Sequence, residues 1–394
     1  MDGAIVHKKL TRIIISPTNG QFIFKDDKYL IGKSNQNDTE FDKLLFVGRD
    51  INKICIPRNI KIIGSYSFSE SKMEGISIPP SATKICEDAF SNCYNLRKVE
   101  IPTNSNLQTI EGGAFSCIKI VEISILPRVT KIGGKMPNRL QKVEIPKILD
   151  LQTIERYAFY SSGIDEISFP RSVTKICEYA FSDCHYLRKI KIPTNSDLRM
   201  IEENAFSFAN IREIYFPESL IELKDGWCDS TPKLRRIIIS PTNGQFIFKE
   251  EKYLIGKSNQ NDNEFDKLLF VGRDINKICV PRNIKIIGSY SFSESKMEGI
   301  SIPPSATKIC EHAFSNCYNL RKVEIPTNSN LQTIEEFAFS ESNIEGISFP
   351  SRVTKICKNG FSDCNKLQII ELSEESQIQL LAIRHLIHAQ HLKK

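Results

Sequence analysis

A repeating unit of 22 to 25 residues constrains this chain more than any other feature. Residues 79 to 102 show it clearly, since the unit runs from one proline to another and its apolar residues fall at fixed places. Those apolar residues are Ala82, Ile85, Ala89, Phe90, Cys93, Leu96, Val99 and Ile101. Similar segments, each closed by a proline, return along the whole chain. Because one such unit cannot bury its apolar face alone, the period predicts a solenoid of stacked turns.

The repeat overrides the usual relation between length and domain number. A globular chain of 394 residues would suggest two or three domains, whereas a solenoid adds turns to one core. We therefore predict a single solenoid over residues 1–372. After it, Leu380, Ile383 and Ile387 would share one face of a helix. We predict that residues 373–394 form an amphipathic helix that caps the last turn, with a partner-binding helix as the alternative.

Each turn should contribute one short strand with the pattern L-x-x-I-x-I. Side chains alternate across a strand, so the apolar residues enter the core and the x residues point outward. From Ile51 the turns should run regularly to about Pro217. Most turns carry an Ala-Phe pair, and weaker copies carry Ser67-Phe68 and Gly360-Phe361, whereas the turn after Pro127 is shorter and lacks the pair.

Two gaps of 40 residues interrupt the period. Within the first, Gln21 to Phe24, Tyr29 to Ile31 and Leu44 to Val47 are β-type runs separated by polar, turn-forming residues. We predict hairpin excursions at about residues 18–50 and 242–274.

Both excursions belong to a long internal duplication. Residues 9–116, called copy 1 here, match residues 233–340, called copy 2, at an offset of 224. The two copies differ only at Thr11/Arg235, Asp26/Glu250, Asp27/Glu251, Thr39/Asn263, Ile56/Val280, Asp88/His312, Gly112/Glu336 and Gly113/Phe337. A block of several turns was therefore copied as a whole.

The repeat resembles the BspA-like, or Treponema-type, leucine-rich repeat. The pattern occurs as Pro170-x-x-Val173-x-x-Ile176-x-x-x-Ala180-Phe181-x-x-Cys184-x-x-Leu187, and the resemblance covers nearly the whole chain. It implies a right-handed, mostly β leucine-rich repeat solenoid, with short parallel strands on the concave face and extended or 3₁₀ segments on the convex face. It also implies a cell-surface or extracellular antigen or adhesin without catalytic residues, which binds host or microbial macromolecules through the concave face.

The outward strand positions form the candidate binding face. Its basic side chains and one tyrosine are Arg97, Lys98, Lys142, Arg188, Lys189, Lys191, Arg212, Tyr215, Arg235, Arg236, Arg321 and Lys322. Between residues 187 and 236 the balance is clearly positive, which predicts an acidic protein or glycoconjugate as partner. A solvated polar face is the alternative, since any sheet surface in water carries charges.

Other function classes find little support in the sequence. A net charge of +6 and a pI near 8.6 are too mild to indicate nucleic acid. The sequence contains no run of 18 apolar residues, so it predicts no integral membrane segment. Gly32-Lys33-Ser34 has the ending of a phosphate-binding loop, but Asp27 stands where the motif requires glycine. We predict no enzyme, no cofactor and no metal site.

The twelve cysteines leave the cellular compartment open. Eight of them form four pairs, each seven residues apart: Cys86/Cys93, Cys177/Cys184, Cys310/Cys317 and Cys357/Cys364. We predict buried or half-buried free thiols, with disulfides inside a turn as the alternative. The N-terminus lacks the apolar run of a signal peptide. A cytoplasmic interaction scaffold is therefore the alternative to a surface protein.

Overall fold

The computed structural model describes residues 10, 13–146, 150–374 and 378. It divides the chain into two compact units, residues 1–209 and 210–394. All regular secondary structure among the described residues is β-strand, and the described part is a mostly-β solenoid of short parallel strands. The helix predicted over residues 373–394 lies outside the described residues, except for 373, 374 and 378, which are not helical.

The first unit begins with the predicted excursion. Its strands are β1 (Phe22–Lys25), β2 (Tyr29–Gly32) and β3 (Lys43–Val47), and neighbouring strands are antiparallel. The third strand then runs parallel to β4 (Ile62–Ile63). The excursion is therefore confirmed, and its last strand is also part of the stack of turns.

The remaining strands of the first unit are two or three residues long. They are β5 (Gly75–Ser77), β6 (Lys84–Ile85), β7 (Lys98–Glu100), β8 (Thr109–Ile110), β9 (Glu122–Ser124), β10 (Lys131–Ile132), β11 (Lys142–Glu144), β12 (Thr153–Ile154), β13 (Glu166–Ser168), β14 (Lys175–Ile176), β15 (Lys189–Lys191) and β16 (Met200–Ile201).

These strands form two parallel ladders, although the sequence predicted only one. The L-x-x-I-x-I strands make the outward ladder, paired as β5–β7, β9–β11 and β13–β15. The two-residue strands continue the sheet of the excursion, in the order β1-β2-β3-β4-β6-β8-β10-β12-β14-β16. Each two-residue strand ends in a buried isoleucine that pairs with the isoleucine of the next turn. We call this sheet the second ladder.

The second unit contains the other strands. They are β17 (Glu213–Phe216), β18 (Glu222–Leu223), β19 (Arg236–Ile239), β20 (Phe246–Lys249), β21 (Tyr253–Gly256), β22 (Lys267–Val271), β23 (Ile286–Ile287), β24 (Gly299–Ser301), β25 (Lys308–Ile309), β26 (Lys322–Glu324), β27 (Thr333–Ile334), β28 (Gly346–Phe349), β29 (Lys355–Ile356) and β30 (Ile369–Leu372). The order β20-β21-β22-β23-β25-β27-β29 repeats the excursion and second ladder, and β24-β26-β28-β30 and β17–β19 repeat the outward ladder.

Stacked phenylalanines fill the core of each unit. Phe68, Phe90 and Phe115 lie face to face with ring centroids 4.7 and 5.5 Å apart, and all three are buried. In the second unit the column from Phe292 through Phe314 and Phe339 to Phe361 repeats this arrangement. The Ala-Phe position of the motif is therefore the centre of the core. Removing one such ring would cost about 3–5 kcal/mol, since it leaves a cavity between two neighbours.

Left-handed residues on both sides of each phenylalanine let the chain turn without a helix. Asp88 has a φ of 53° and Asn92 a φ of 58°, on either side of Phe90. Asn and Asp tolerate this conformation better than most residues. The amide of Phe68 donates to the carbonyl of Ala89 in the next turn at 2.8 Å, so these corners also connect the turns by hydrogen bonds.

The predicted regularity from Ile51 onward is wrong at its first turn. Residues 51–57 match I-x-x-I-x-I-P, yet residues 52–56 form no strand, and the equivalent residues 276–280 of copy 2 form none either. Both segments directly follow an excursion whose last strand has just crossed into the second ladder. The strand pattern alone does not bring a segment within pairing distance of its neighbour.

Candidate functional site

The predicted site residues lie on the outward ladder in both units. Lys98, Lys142, Lys189 and Lys191 belong to β7, β11 and β15, while Arg97 and Arg188 directly precede β7 and β15. The second unit holds Arg212 and Tyr215 at β17, Arg235 and Arg236 at β19, and Arg321 and Lys322 at β26. All are exposed except Tyr215, which is half-buried. The six residues of each unit are described separately below.

About half of these cations are already neutralised by carboxylates. Side-chain pairs within one strand join Lys98 to Glu100 at 2.5 Å and Lys142 to Glu144 at 2.6 Å in the first unit, and Lys322 to Glu324 at 2.6 Å in the second. Pairs between neighbouring segments join Lys191 to Glu166, Arg236 to Glu213 and Arg235 to Asp274. The surface is therefore less basic than its sequence suggests.

The remaining cations have no ion pair among the described residues. In the first unit they are Arg97, Arg188 and Lys189, and in the second unit Arg212 and Arg321. Arg188 and Lys189 are adjacent in sequence, and Lys189 lies in register with Glu166 on β13, whose carboxylate contacts Lys191 instead. Exposed cations without a carboxylate are the side chains best suited to contact an acidic partner.

The strand ion pairs also affect protonation. The hydrogen bond to Glu100 raises the pKa of Lys98, and the hydrogen bond to Glu144 raises that of Lys142. The pKa of Glu144 is lowered, first by Lys142 and then by the hydroxyl of Ser124, which donates to it at 2.9 Å. These groups are fully exposed, so the pairs fix local charge rather than stability.

Three exposed tyrosines beside the ladder were missed from the sequence. Tyr94, Tyr186 and Tyr318 are 57 to 64% exposed and stand two or three residues before Arg97, Arg188 and Arg321. The signal was available, because Cys-x-x-Leu segments carry a tyrosine in all three places. Aromatic rings next to Arg and Lys are typical of protein-binding surfaces.

The paired cysteines lie inside the turns, as predicted. Seven of the eight are buried and Cys357 is half-buried, and all twelve thiols are free. The Cys93 thiol donates to the carbonyl of Phe68 at 3.0 Å, and the Cys184 thiol donates likewise to Phe159. Burial raises the pKa of Cys177 to about 12 and that of Cys184 to about 11, so these thiols stay protonated near neutral pH.

Metal-ligand clusters and membrane-spanning helices are both absent from the described part of the chain. No three His, Cys, Asp or Glu side chains come together there as metal ligands would. That part also contains no helix that could cross a bilayer.

The sequence profile of one family matches most of the chain. The family is described as "BspA type Leucine rich repeat region (6 copies)", and it matches residues 39–138, 135–254 and 263–384. The comparison with curated protein sequences found no match.

Three solved structures share the fold. A leucine rich cell surface protein from Faecalibacterium prausnitzii A2-165 is 22% identical, with a TM-score of 0.59 over 94% of this chain and 100% of that one. The pneumococcal vaccine antigen PcpA is 18% identical, with a TM-score of 0.53 over 90% and 82%. A leucine-rich repeat protein from Bacteroides ovatus ATCC 8483 is 20% identical, with a TM-score of 0.51 over 90% and 89%. With its repeats, its phenylalanine core and the profile match in agreement, the chain belongs to the BspA-type leucine-rich repeat family.

Proposed function

We propose that this protein is a non-enzymatic cell-surface antigen or adhesin that binds host or microbial macromolecules. The binding surface is the outward ladder, which the family resemblance assigns to the concave face. Its partner is a protein or glycoconjugate with acidic groups. The main observation behind this proposal is the pair Arg188 and Lys189, which is exposed on the ladder without an ion pair among the described residues.

The rigidity of the ladder supports a role in binding. Backbone hydrogen bonds join neighbouring strands, and also the corners of neighbouring turns, within each unit. The outward side chains therefore keep their positions before a partner arrives. A surface that needs little ordering loses less entropy on association. The exposed tyrosines add apolar contact area beside the cations.

The similar structures support the cellular location. One of them is titled a cell surface protein and another a vaccine antigen. Their sequences are only 18 to 22% identical to this chain, so the likeness establishes the fold, and location and partner remain part of the proposal.

Charge reversal tests the proposal. The purified protein would be titrated onto immobilised heparin, as an acidic glycan probe, and onto a panel of host matrix proteins. In the Arg188→Glu/Lys189→Glu variant and in Arg321→Glu, we expect binding to weaken by about tenfold or more, since each removes unpaired positive charge. The matched control is Lys355→Glu/Lys358→Glu, which reverses two exposed charges outside the outward ladder that have no ion pair among the described residues. Equal binding by all variants would refute the basic-face assignment.

A scaffold inside the cell is the second candidate, and the twelve free thiols favour it. Counting reactive thiols in denatured, unreduced protein and locating the protein in fractionated cells separates the two functions. Twelve free thiols together with a cytosolic location would support the scaffold. A location on intact cells, detected by antibody without permeabilisation, would support the adhesin.

A further inference from the structure

The outward edge of β5 carries backbone groups that its ladder does not use. Toward β7, the carbonyl of Glu74 accepts from the amide of Arg97 at 2.9 Å, and the amide of Ile78 donates to the carbonyl of Glu100 at 2.8 Å. In a parallel strand, successive residues direct their backbone groups to opposite sides. Gly75 and Ser77 therefore direct theirs away from β7.

A neighbouring segment, residues 52–56, belongs to no strand and is also unpaired. Residues 52–56 have the strand pattern, yet none of their backbone amides donates to another described residue, and no backbone hydrogen bond joins them to β5. An open groove of about 980 Å³ borders both segments and extends to Lys98 and Glu100 of β7, and Tyr29, Ile54 and Cys55 also line it. This volume is at the upper end of the range for ligand sites.

The side chains of the groove restrict what can enter. Ile54 and Ile76 offer apolar surface to a residue pointing inward, while Lys28 and Lys53 are exposed and have no ion pair among the described residues. Gly75 has no side chain, so a backbone can approach the edge closely. Asp26 and Glu74 line the same groove, so its lining carries charges of both signs and favours an apolar residue inward without a preferred charge at its mouth.

Copy 2 contains the same unpaired edge. The carbonyl of Glu298 accepts from Arg321 at 2.9 Å, and the amide of Ile302 donates to Glu324 at 2.8 Å, so Gly299 and Ser301 face away from β26. The backbone amides of residues 276–280 likewise donate to no described residue. The arrangement has therefore arisen twice from nearly identical sequence.

We propose that the edges of β5 and β24 each bind one extended peptide segment of a partner protein, by addition of a parallel strand. The alternating donors and acceptors on both walls match a polypeptide backbone in extended form, which is the basis of strand addition in other proteins. The peptide carries an apolar residue at every second position. This site is separate from the cationic face, because its affinity comes from main-chain hydrogen bonds.

A peptide from this chain provides the probe. Residues 94–103 contain the strand that already pairs with the far edge of β5, including Val99-Glu100-Ile101. The synthetic peptide would be titrated into the full-length protein by calorimetry, with hydrogen exchange followed at residues 52–56 and 75–77. We expect two peptides per chain and slower exchange in these segments and in 276–280 and 299–301. A peptide with proline in place of Val99 cannot supply the same backbone bonds and should not bind.

Proline substitution in the protein isolates the backbone contact. Ser77→Pro removes an amide that faces the groove and spares the bonds to β7, since proline is tolerated where a strand amide points outward. We expect affinity at that site to fall about tenfold, and Ser301→Pro to do the same at the other. Ser77→Ala keeps the amide and should bind normally. Unchanged binding in Ser77→Pro, or unchanged exchange in the wild type with saturating peptide, would overturn the proposal.

The test also separates this site from the proposed cationic face. Arg188→Glu/Lys189→Glu should leave peptide binding intact, and Ser77→Pro should leave heparin binding intact. Loss of both interactions in either variant would mean that the two surfaces are not independent and would count against strand addition.

Discussion

The two copies of the duplicated block differ in burial far more than in sequence. They share all but eight of their residues, yet Phe22 is 42% exposed in copy 1 while Phe246 is 5% exposed in copy 2. Ile14 and Ile238 are 87% and 37% exposed. The three isoleucines of residues 237–239 belong to β19 in copy 2, whereas the equivalent residues 13–15 of copy 1 form no strand.

The difference comes from the neighbouring turn. In copy 2, β19 pairs in parallel with β17, and Phe246 packs against Phe216. The side chain of Asn243 donates to the carbonyls of Pro217 and Leu220 at 2.8 and 2.9 Å. None of these partners has a counterpart among the described residues before Ile13.

Local turn structure is nevertheless the same in both copies. Asn19 accepts from the amides of Gln21 and Phe22, and Asn243 accepts from those of Gln245 and Phe246, all within 2.8 to 3.1 Å. Sequence thus determines the turn, whereas the adjacent turn determines burial. This is the behaviour expected of a solenoid, in which each repeat interacts with its neighbours only.

The largest expected contrast is between Phe246→Ala and Phe22→Ala. The first should lower the free energy of unfolding by about 3–5 kcal/mol, because it removes a buried ring and leaves a cavity. The second should cost about 1 kcal/mol or less, because its ring is already partly in water. Urea unfolding followed by circular dichroism measures both. Similar losses in the two variants would show that Phe22 is covered in solution.

Two buried arginines should behave alike, since they donate to equivalent carbonyls in the two copies. Arg49 donates to the carbonyls of Ser67 and Tyr66, and Arg273 donates to those of Ser291 and Tyr290, at 3.0 to 3.2 Å. Replacing either arginine by Met keeps the packing on a phenylalanine ring but removes the charged donor, so that each carbonyl retains only a backbone amide donor, as Ser67 does from Val47.

Each Arg→Met variant should therefore lose about 2–3 kcal/mol of stability. The same urea experiment applies, with Arg→Lys variants as controls that keep the charge. A difference above about 1 kcal/mol between the copies would contradict the equivalence of the two excursions.

A smaller contrast is expected at the turn asparagines. Asn243→Ala removes the local turn bonds and the two bonds to the preceding turn, and should cost about 2–3 kcal/mol. Asn19→Ala removes only the local bonds and should cost about 1 kcal/mol. Thermal unfolding measures the stability of each variant. Asn→Asp variants keep the acceptor oxygen and remove the amide donor, so they show how much of the lost stability depends on that donor. Equal costs would place an acceptor for the Asn19 amide near that side chain.

The smallest effect concerns acid stability. Burial would raise the pKa of Asp42, but hydrogen bonds from Ser34 and the contact with Lys61 together lower it below its ordinary value of 3.8. A carboxyl with a lowered folded-state pKa stabilises above its unfolded pKa and loses that contribution as pH falls through the folded value.

The Asp42→Asn variant should therefore be less stable than the wild type above about pH 4. The difference in stability between the two proteins should become smaller below that pH. Urea midpoints across the acid range test this, with Asp266→Asn as the matched variant. A constant difference between Asp42→Asn and wild type at every pH would contradict the assignment.

The copies also differ in the side chains at one corner of adjacent turns. Two of the eight differences lie in one column, which reads Tyr66, Asp88 and Gly113 in copy 1 and Tyr290, His312 and Phe337 in copy 2. In copy 2 these rings stack with centroids 4.8 and 4.9 Å apart, whereas Tyr66 in copy 1 contacts the carboxylate of Asp88. Two of the differences between the copies therefore lie at equivalent positions of adjacent turns.

Much of this architecture could be read from the sequence. The period identified the turns, the Ala-Phe pairs marked the core, and the β-type runs located the excursions. The second ladder was missed, because a two-residue strand such as Lys84–Ile85 has no alternation to reveal it. Residues 52–56 failed as a strand despite their pattern, since pairing depends on where the neighbouring segment lies.

The candidate face was predictable only in part. The sequence located the cations, and the structure places them at exposed ladder positions. The sequence could not show that carboxylates two residues away neutralise Lys98 and Lys142. Those ion pairs depend on side-chain rotamers and on spacing along the strand.

Hydrogen exchange at sequence-matched amides tests the central claim most directly, namely that the adjacent turn and not the local sequence determines the state of a turn. The Ser240 amide donates to the carbonyl of Phe216 at 2.9 Å, whereas that of Ser16 donates to no described residue. The account predicts slow exchange at Ser240 and fast exchange at Ser16, with equal, slow exchange at Phe90 and Phe314. Equal protection of Ser16 and Ser240 would contradict it.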